Sequence, residues 1–296
     1  MHNPLAIAIL SGLGGMFGWG SADFFAKITI DKAGPIKCLV WAHIFGTSLL
    51  IMAAIVQVIF LGHNLDLPHG SAWLGLLFFG MLQMVVYYLA YKGFEKGQLA
   101  VLNPVFASFT GIVALVSILF LGEAVHAGLV VGLALLFIGI ITLNLDPEGL
   151  KNKRLNFVPG LKEVGAATLL AALWTLGWDK LVSGHDALTY ALFMYFFMTL
   201  AAIVLALAVK EEISGDIPTT LWRLLLLMGL GEAVAYLSIS WGYSSTNLTS
   251  IVALISGAFS VPTIILAYVF LKERITKIQT AAIAMIIASI CIVSLG

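Results

Sequence analysis

Residues 224–243 read LLLLMGLGEAVAYLSISWGY, a nearly continuous apolar run with one acid, Glu232, near its middle. A helix needs about 20 apolar residues to cross the hydrocarbon core of a bilayer. This run is long enough to do so, and it therefore predicts a membrane-spanning helix. An acid at the centre of such a helix is unfavourable, and its presence there needs a physical explanation.

The composition of the whole chain extends this prediction to a polytopic membrane protein. Of its 296 residues, 61% are hydrophobic and 10% are charged, and the mean hydropathy is +1.06. Soluble domains are about half apolar and about a quarter charged. The 15 basic residues balance 15 acidic ones, so the chain has no basic field to attract a nucleic acid.

The sequence lacks the common motifs of catalysis and metal binding. Cys38 and Cys291 both fall in apolar segments, which argues against a disulfide framework and against a Cys/His metal site. The 6 histidines show no ligand spacing, and the chain has no phosphate loop, H-E-x-x-H sequence or nucleophile elbow. We therefore expect a protein without enzymatic activity, metal or cofactor.

Hydropathy predicts ten membrane-spanning helices joined by short, mostly polar connections. They occupy residues 5–28, 38–61, 72–93, 99–121, 126–144, 162–181, 187–209, 221–243, 248–271 and 277–295. The longest connection, DPEGLKNKRLNFVPG at 146–160, has the Pro, Gly and charged residues of a linker. It divides the chain into two units of five helices, at 1–145 and, with the linker included, at 146–296.

The two halves align with each other over their third and fourth helices. At an offset of 149 residues, similar residues coincide: Gly80 with Gly229, Gln83 with Glu232, and Tyr87 with Tyr236. One inserted residue later, FLGE at 120–123 coincides with FLKE at 270–273. An odd number of helices in each copy forces the second copy to run upside down. The sequence thus predicts an all-α fold of two inverted five-helix repeats, which many secondary transporters share.

Lysine and arginine predict the orientation in the membrane. The connections after helices 1, 3, 5, 7 and 9 carry nearly all of them: Lys27, Lys32, Lys37, Lys92, Lys96, Lys151, Lys153, Arg154, Lys162, Lys210, Arg223, Lys272, Arg274 and Lys277. The other side has Lys180 alone. Because basic loops face the cytoplasm, this distribution predicts that both termini face outward.

Several stretches give the chain a resemblance to the drug/metabolite transporter superfamily, in particular to its EamA-type members. They are GWGSADFFAK (18–27), GFEKGQLAVLNPVFASF (93–109), LGEAVHAGLVVGLALLFIGI (121–140), GYSSTNLTSIVALISGAFSVP (242–262) and LKERITKIQTAAIAMIIAS (271–289). The resemblance covers essentially the whole chain. It implies a carrier of small metabolites or drugs in the inner cell membrane, with a cavity lined by helices 1, 3, 4, 6, 8 and 9. It also implies cytoplasmic termini, opposite to the charge-based prediction.

Glu232 is the strongest candidate for a functional residue. A charged group at mid-membrane costs at least about 3 kcal/mol, so such groups usually face a cavity or a partner. Burial changes how tightly a carboxyl group holds its proton. Glu232 would therefore be able to carry a proton across the membrane, or to hold a cationic substrate. The alternative is an acid that is protonated or hydrogen-bonded for packing alone.

The residues that share a helix face with Glu232 predict a cavity. One stripe at helical spacing holds Gly229, Glu232, Tyr236 and Ser240. The repeat-related stripe holds Gly80, Gln83, Tyr87 and Tyr91. We expect the two stripes to face each other, one with an acid and the other with its neutral amide. Tyr91 also fits an interfacial aromatic belt.

Helices 1 and 6 add an aromatic wall to the predicted site. Trp19 with Asp23, and Trp174 with Trp178, have the i, i+4 spacing of one helix face. Aromatic rings beside an acid suit organic cations or flat metabolites. However, Asp23 has Lys27 four residues on, which predicts a structural ion pair, and Trp178 is typical of a membrane belt.

Helices 4 and 9 contain features that recur in both halves. Asn103-Pro104 lies near the start of helix 4 and Pro262 lies inside helix 9. Proline bends helices, as transporters do at binding sites, although ordinary curvature explains it equally. Glu123 and Glu273 close these two helices. Their repetition predicts a shared structural role, such as tying down a loop.

Together these features predict a secondary transporter that moves a small organic metabolite, amine or drug-like solute by alternating access, as a monomer or homodimer. Glu232 is the predicted proton-coupling residue. The predicted substrate-binding residues are Glu232, Tyr236, Gln83, Tyr87, Trp19, Trp174, Asn103 and Ser240. The alternatives are an uncoupled facilitator for sugars or neutral metabolites, a flippase for a lipid-linked intermediate, and a non-transporting membrane subunit.

Overall fold

The computed structural model describes residues 4–120, 127–143, 158–213, 217–246, 248–273 and 276–295, and the regular structure in these ranges is entirely helical. The helices are α1 (Pro4–Ala33), α2 (Pro35–Ile59), α3 (Ala72–Lys96), α4 (Leu99–Ala107), α5 (Phe109–Phe120), α6 (Ala127–Leu143), α7 (Leu161–Val182), α8 (Ala187–Ala208), α9 (Thr219–Ser245), α10 (Thr249–Gly257), α11 (Ser260–Leu266) and α12 (Lys277–Leu295). A short π-helical segment (Ala267–Leu271) follows α11.

The all-α membrane fold predicted from the sequence is confirmed. Within the described ranges, 6 helical segments are long and apolar enough to cross a membrane: Pro4–Ala33, Pro35–Ile59, Ala72–Lys96, Ala187–Ala208, Thr219–Ser245 and Ile251–Leu271. Helices also occupy the remaining predicted segments, but those are shorter or less apolar. The count of ten spans, the domain boundary at residue 146 and the orientation stay predictions.

The first two helices are joined by a single residue. α1 continues to Ala33, several residues beyond its predicted end, and α2 begins at Pro35. Gly34 between them has φ of 80°, in the left-handed region that glycine adopts without a steric penalty. Proline suits the first position of a helix because its missing N–H would have no partner there. The Gly-Pro pair therefore makes a tight reversal.

The fourth predicted span of each half is broken at the same place. Ser108 separates α4 from α5, and Ala258 and Phe259 separate α10 from α11. Pro262 cannot donate to the carbonyl of Ala258, which instead accepts from the N–H of Val261 at 2.9 Å. The offset between Ser108 and Ala258 equals the offset that aligns FLGE with FLKE. The breaks are therefore a feature of the repeat and not local irregularities.

The helices of the two halves pack in a reciprocal pattern. α1 packs along α9, and α7 packs along α3. α2 packs along α8, and α6 packs along α12. If the two halves are exchanged, the pair of α1 with α9 becomes the pair of α7 with α3. The pair of α2 with α8 and the pair of α6 with α12 are unchanged. This pattern is that of a pseudo-twofold axis between two inverted repeats.

Contacts between equivalent residues locate the axis. α2 begins at Pro35 and α8 at Ala187, an offset of 152 residues that pairs Thr47 with Thr199 and His43 with Tyr195. Four pairs of counterparts touch each other: Thr47 and Thr199 through their hydroxyl oxygens at 2.7 Å, His43 and Tyr195 with ring centroids 5.1 Å apart, Tyr87 and Tyr236 at 6.4 Å, and Phe109 and Phe259 at 6.4 Å. A residue lies against its own counterpart only where both lie beside the symmetry axis. The axis therefore runs through the centre of the bundle, from α2 and α8 to the two broken helices.

Glu273 ties the two halves together at one end of the bundle. Its Oε1 accepts from the N–H of Leu99 at 3.1 Å, and its Oε2 accepts from the N–H of Ala100 at 2.8 Å. These are the first donors of α4, which lack partners within the helix, and a carboxylate also suits the positive end of the helix dipole. The structural role predicted for Glu273 is confirmed. Its counterpart Glu123 lies outside the described residues.

Lys27 forms a second contact at this end, and it is not the predicted one. Its ammonium group donates to Asp31 at 3.0 Å and to the carbonyls of Phe94 at 2.7 Å and Gly97 at 3.2 Å. These carbonyls belong to the C-terminal end of α3, where the helix dipole favours a cation. The predicted pair of Lys27 with Asp23 is wrong, because the end of α3 offers the ammonium group a better set of acceptors.

Replacement of Glu273 by Ala is expected to lower the unfolding temperature of the purified protein. The variant leaves two helix N-terminal donors without an acceptor, which costs about 1 kcal/mol. For proteins of a few hundred residues, this corresponds to a decrease of about 2–4 °C. Thermal unfolding in detergent measures the change. Replacement of the exposed Glu212 by Ala is the control, and equal unfolding temperatures of both variants would contradict a capping role.

Candidate functional site

A cavity lies in the interior, next to the pseudo-twofold axis. It contains about 340 Å³ of empty space, measured out to its opening. Both halves of the chain contribute to its wall, which consists of Trp19, Asp23, Gln83, Tyr87, Phe106, Phe109, Ala171, Trp174, Thr175 and Phe259.

The wall is aromatic apart from a small group of polar side chains. Asp23 is the one acid among the residues that line this cavity, and no Lys, Arg or His is among them. Only 2% of Asp23 is exposed, and its Oδ2 accepts from Nδ2 of Asn103 at 2.7 Å. A carboxylate in apolar surroundings is unfavourable unless it is paired, hydrogen-bonded or protonated. Asp23 therefore gives the cavity a strong preference for a positive charge or a proton.

Two buried polar atoms of the cavity wall lack a hydrogen-bond partner within the described part of the chain. They are Nε1 of Trp19 and Oε1 of Gln83; Oδ1 of Asn103, behind the wall, also lacks one. Nε2 of Gln83 is satisfied, because it donates to the hydroxyl of Tyr236 at 2.6 Å. Nearly all buried polar groups in folded proteins have partners. One donor and one acceptor of the wall are thus available to a bound solute.

Tyr236 lies behind the wall and holds it together. Its ring packs edge-on against Trp19 at 5.6 Å and Trp174 at 5.7 Å, and it contacts the ring of Tyr87 at 6.4 Å. Trp174 is fixed in turn by a hydrogen bond from its Nε1 to the carbonyl of Phe79 at 3.1 Å. The orientation of the aromatic wall therefore depends on Tyr236.

Trp178 and Ser240 lie elsewhere in the interior. Trp178 stacks on Trp174 with centroids 5.5 Å apart and donates from Nε1 to the hydroxyl of Ser240 at 3.2 Å. Both side chains are fully buried. The prediction that Trp178 belongs to a membrane belt is therefore wrong. Ser240 is not among the residues that line this cavity, so a solute in it would not touch the Ser240 hydroxyl.

Glu232 also lies outside the wall of this cavity, in a separate polar cluster. Its Oε1 accepts from the hydroxyl of Tyr91 at 2.9 Å, and its Oε2 accepts from the hydroxyl of Tyr195 at 2.6 Å. Nε2 of His43 is 3.3 Å from the same Oε2. All four side chains are fully buried. The prediction of a belt position for Tyr91 is wrong, because its hydroxyl is required as a donor to the buried acid.

The ring of His43 places a second titratable side chain against Glu232. Nδ1 of His43 is 2.6 Å from the carbonyl oxygen of Leu39, and because that oxygen only accepts, Nδ1 carries a hydrogen. In a neutral imidazole, Nε2 then has a lone pair. This atom faces Oε2 of Glu232 at 3.3 Å. The contact is close without being an aligned hydrogen bond.

The structure therefore divides the predicted site residues into three groups. Trp19, Gln83, Tyr87 and Trp174 line the cavity, Tyr236 and Asn103 support it through hydrogen bonds, and Glu232 and Ser240 lie behind it. Reasoning from the sequence missed His43 and Tyr195. Each is a polar ring in an apolar span, which is a weak signal. Because the two residues occupy equivalent positions in the two repeats, a comparison of the repeats would have strengthened that signal.

Comparisons with known proteins bear on the whole chain. A family model described as the EamA-like transporter family matches residues 6–145 and 164–295. No curated protein sequence matches significantly. Among solved structures, 28 chains match. One, described as "Crystal structure of protein", has 14% sequence identity and a TM-score of 0.67 over 98% of this chain and 97% of that chain. At this identity the likeness concerns the fold alone.

Replacement of Gly229 by Ala is expected to destabilise the protein and to disturb the Glu232 cluster. A Cβ atom there would lie 2.4 Å from the carbonyl oxygen of Ala42, on the helix that carries His43. Backbone atoms cannot move aside as a flexible side chain can, so α9 and α2 must separate. Overpacking of this kind costs about 1–3 kcal/mol, which thermal unfolding in detergent would detect.

Replacement of Gly165 by Ala is the matched control for Gly229. A Cβ atom at Gly165 meets nothing within 4 Å, and alanine is the better helix former by about 1 kcal/mol. This control should keep or raise the unfolding temperature. If the Gly229 variant were equally stable, the close contact between α9 and α2 would be contradicted.

Proposed function

Because the chain belongs to the EamA-like transporter family, we propose that this multi-pass membrane protein is a secondary transporter that moves a small organic solute by alternating access. The observation that carries the proposal is the interior cavity whose wall comes from both inverted halves. Secondary transporters bind their substrates at such a junction near the midplane. The substrate in this proposal is a small metabolite, amine or drug-like compound.

In our proposal the protein lies in the inner cell membrane, as a monomer or a homodimer. Within the described part of the chain, Lys27, Lys96 and Glu273 meet at the end where Gly34 joins α1 to α2. Most of the basic residues belong to the connections at this end. The positive-inside rule favours a cytoplasmic location for it. Single cysteines introduced at the two ends and labelled from outside would test this orientation.

We propose that Glu232 couples transport to protons, with His43 as its partner. In this proposal the carboxyl and the imidazole, 3.3 Å apart, bind and release one proton, and the hydroxyls of Tyr91 and Tyr195 hold the carboxyl in place. Gain or loss of that proton changes which of these contacts are attractive. The charge state of this pair would therefore change how α9 packs against α2, α3 and α8. Coupling requires such contacts, whose strength differs between two conformations.

Tyr87 and Tyr236 link the solute cavity to the proton site. Tyr87 lines the cavity and packs edge-on against the ring of His43 at 5.8 Å. The ring of Tyr236 packs against the wall and contacts the ring of Tyr195, with centroids 5.5 Å apart. A solute that displaces either tyrosine would therefore change the surroundings of the Glu232 carboxyl. This connection allows the solute and the proton to influence each other, and our proposal takes the antiport form, in which a solute is exchanged for a proton.

One observation favours an uncoupled facilitator as the second candidate. Both carboxylate oxygens of Glu232 already have hydrogen-bond donors. An acid satisfied in this way is able to serve as a structural crosslink between helices, with no proton released during transport. The facilitator would use the same cavity, and only the role of Glu232 differs between the two functions.

Transport by purified protein in liposomes, with a pH-sensitive dye inside, tests the proposal. Panels of amines, amino acids and sugars would be added outside. We expect at least one solute to drive a pH change in wild type, and we expect replacement of Glu232 by Gln to abolish it. The glutamine keeps the size of the side chain and one acceptor oxygen. It cannot exchange a proton, and its NH2 group replaces the other oxygen that accepts from a tyrosine hydroxyl.

The control is replacement of the exposed Glu212 by Gln, which should leave the pH change intact. Labelled solute that equilibrates equally fast through wild type and the Glu232 variant, without a pH change, would establish the facilitator instead. Absence of transport for every solute, in protein that is folded by its unfolding temperature, would contradict a transporter of small organic solutes.

A further inference from the structure

We propose that the cavity binds a protonated primary or secondary amine, and that Asp23, not Glu232, is the counter-ion of the substrate. This inference rests on the proposed function, because it names the substrate class of the same cavity. Asp23 lies in the wall, whereas Glu232 lies outside it and is held by Tyr91 and Tyr195. The charge that a solute meets on entering the cavity is therefore that of Asp23.

The electrostatics of the wall select a cation. Asp23 is almost completely buried, and the neutral amide of Asn103 donates to it. Lys27, the nearest basic residue along α1, is directed to the end of α3 instead. A buried carboxylate without a cation is unfavourable, so a positively charged solute relieves the unfavourable burial. Trp19, Tyr87 and Trp174 add aromatic surfaces that attract cations.

The unpartnered polar atoms select a cation that carries N–H groups. Oε1 of Gln83, in the wall, is a buried acceptor without a donor among the described residues, and the carboxylate of Asp23 accepts a hydrogen bond from the neutral amide of Asn103. A primary or secondary ammonium group is able to donate to these oxygens. A quaternary ammonium group has the same charge but no N–H, and it would leave the oxygens unsatisfied.

The same wall disfavours amino acids and neutral solutes. A carboxylate on the solute would find no Lys, Arg or His among the residues that line this cavity. The unpartnered Nε1 of Trp19 is able to donate to a single neutral oxygen of the solute. A neutral solute such as a sugar would leave Asp23 without a counter-ion. The wall therefore fits a small amine with an apolar or aromatic body.

Three probes of nearly the same shape separate charge from N–H donation: 2-phenylethylamine, its N,N,N-trimethyl derivative and 2-phenylethanol. Binding to the purified full chain at pH 7, where alkylamines are protonated, is measured by calorimetry and by quenching of tryptophan fluorescence. We expect the amine to bind, and the other two to bind about tenfold more weakly or less. Equal binding of the trimethyl compound would overturn the N–H requirement, and equal binding of the alcohol would overturn charge recognition.

Replacement of Asp23 by Asn tests the counter-ion. We expect it to remove the difference between the amine and the alcohol. Replacement of Asp31 by Asn, on the same helix but paired with Lys27, should keep the difference. Unchanged amine binding in the Asp23 variant would overturn the assignment. If this variant fails to fold, the three-probe comparison in wild type still decides the substrate class.

This inference and the proposed function fail in different ways. Transport of sugars or amino acids without any binding of the amine would overturn the inference and leave the transporter intact. Selective amine binding, with no transport of the amine or of any other solute in liposomes, would support the binding site and contradict the transport function.

Discussion

The buried carboxyl group of Glu232 is the constraint on which the centre of the bundle depends. An acid in an apolar interior needs hydrogen-bond donors, a proton or a cation. Tyr91 and Tyr195 donate to its two oxygens, and His43 lies 3.3 Å from one of them. These residues belong to α3, α8 and α2, while Glu232 belongs to α9. One side chain thereby fixes four helices, two from each half, relative to one another.

Departure from the twofold symmetry separates the two polar sites. Gln83 and Glu232 occupy the same place in the two repeats, and Gly80 and Gly229 allow equally close contacts of α3 with α8 and of α9 with α2. Yet the amide of Gln83 lies in the cavity wall, whereas the acid lies in a hydrogen-bonded cluster behind it. The solute and the proton therefore have separate places in the proposed mechanism. Because the tyrosine pair on the axis contacts both, the two places are able to influence each other.

The predictions from the sequence are wrong where a polar side chain has more than one possible partner. Lys27 has acids four residues away on both sides, at Asp23 and Asp31, and helical spacing alone allows either pair. The carbonyls at the end of α3 decide between them, and they come from a helix distant in the sequence. The membrane-belt positions predicted for Tyr91 and Trp178 are wrong for a similar reason. Their polar atoms meet Glu232 and Ser240, which are far along the chain.

The sequence by itself determined the membrane class, the helical segments and the relation between the two halves. Hydropathy and an internal offset are properties of the chain read in order, and they need no knowledge of packing. Only the tertiary structure decided that Asp23 faces the cavity, that Glu232 faces His43 and Tyr195, and that equivalent residues meet on the axis. In a span that is apolar on all sides, no amphipathic stripe indicates which face turns inward. The neighbouring helices settle that rotation, through glycine contacts and a few buried hydrogen bonds.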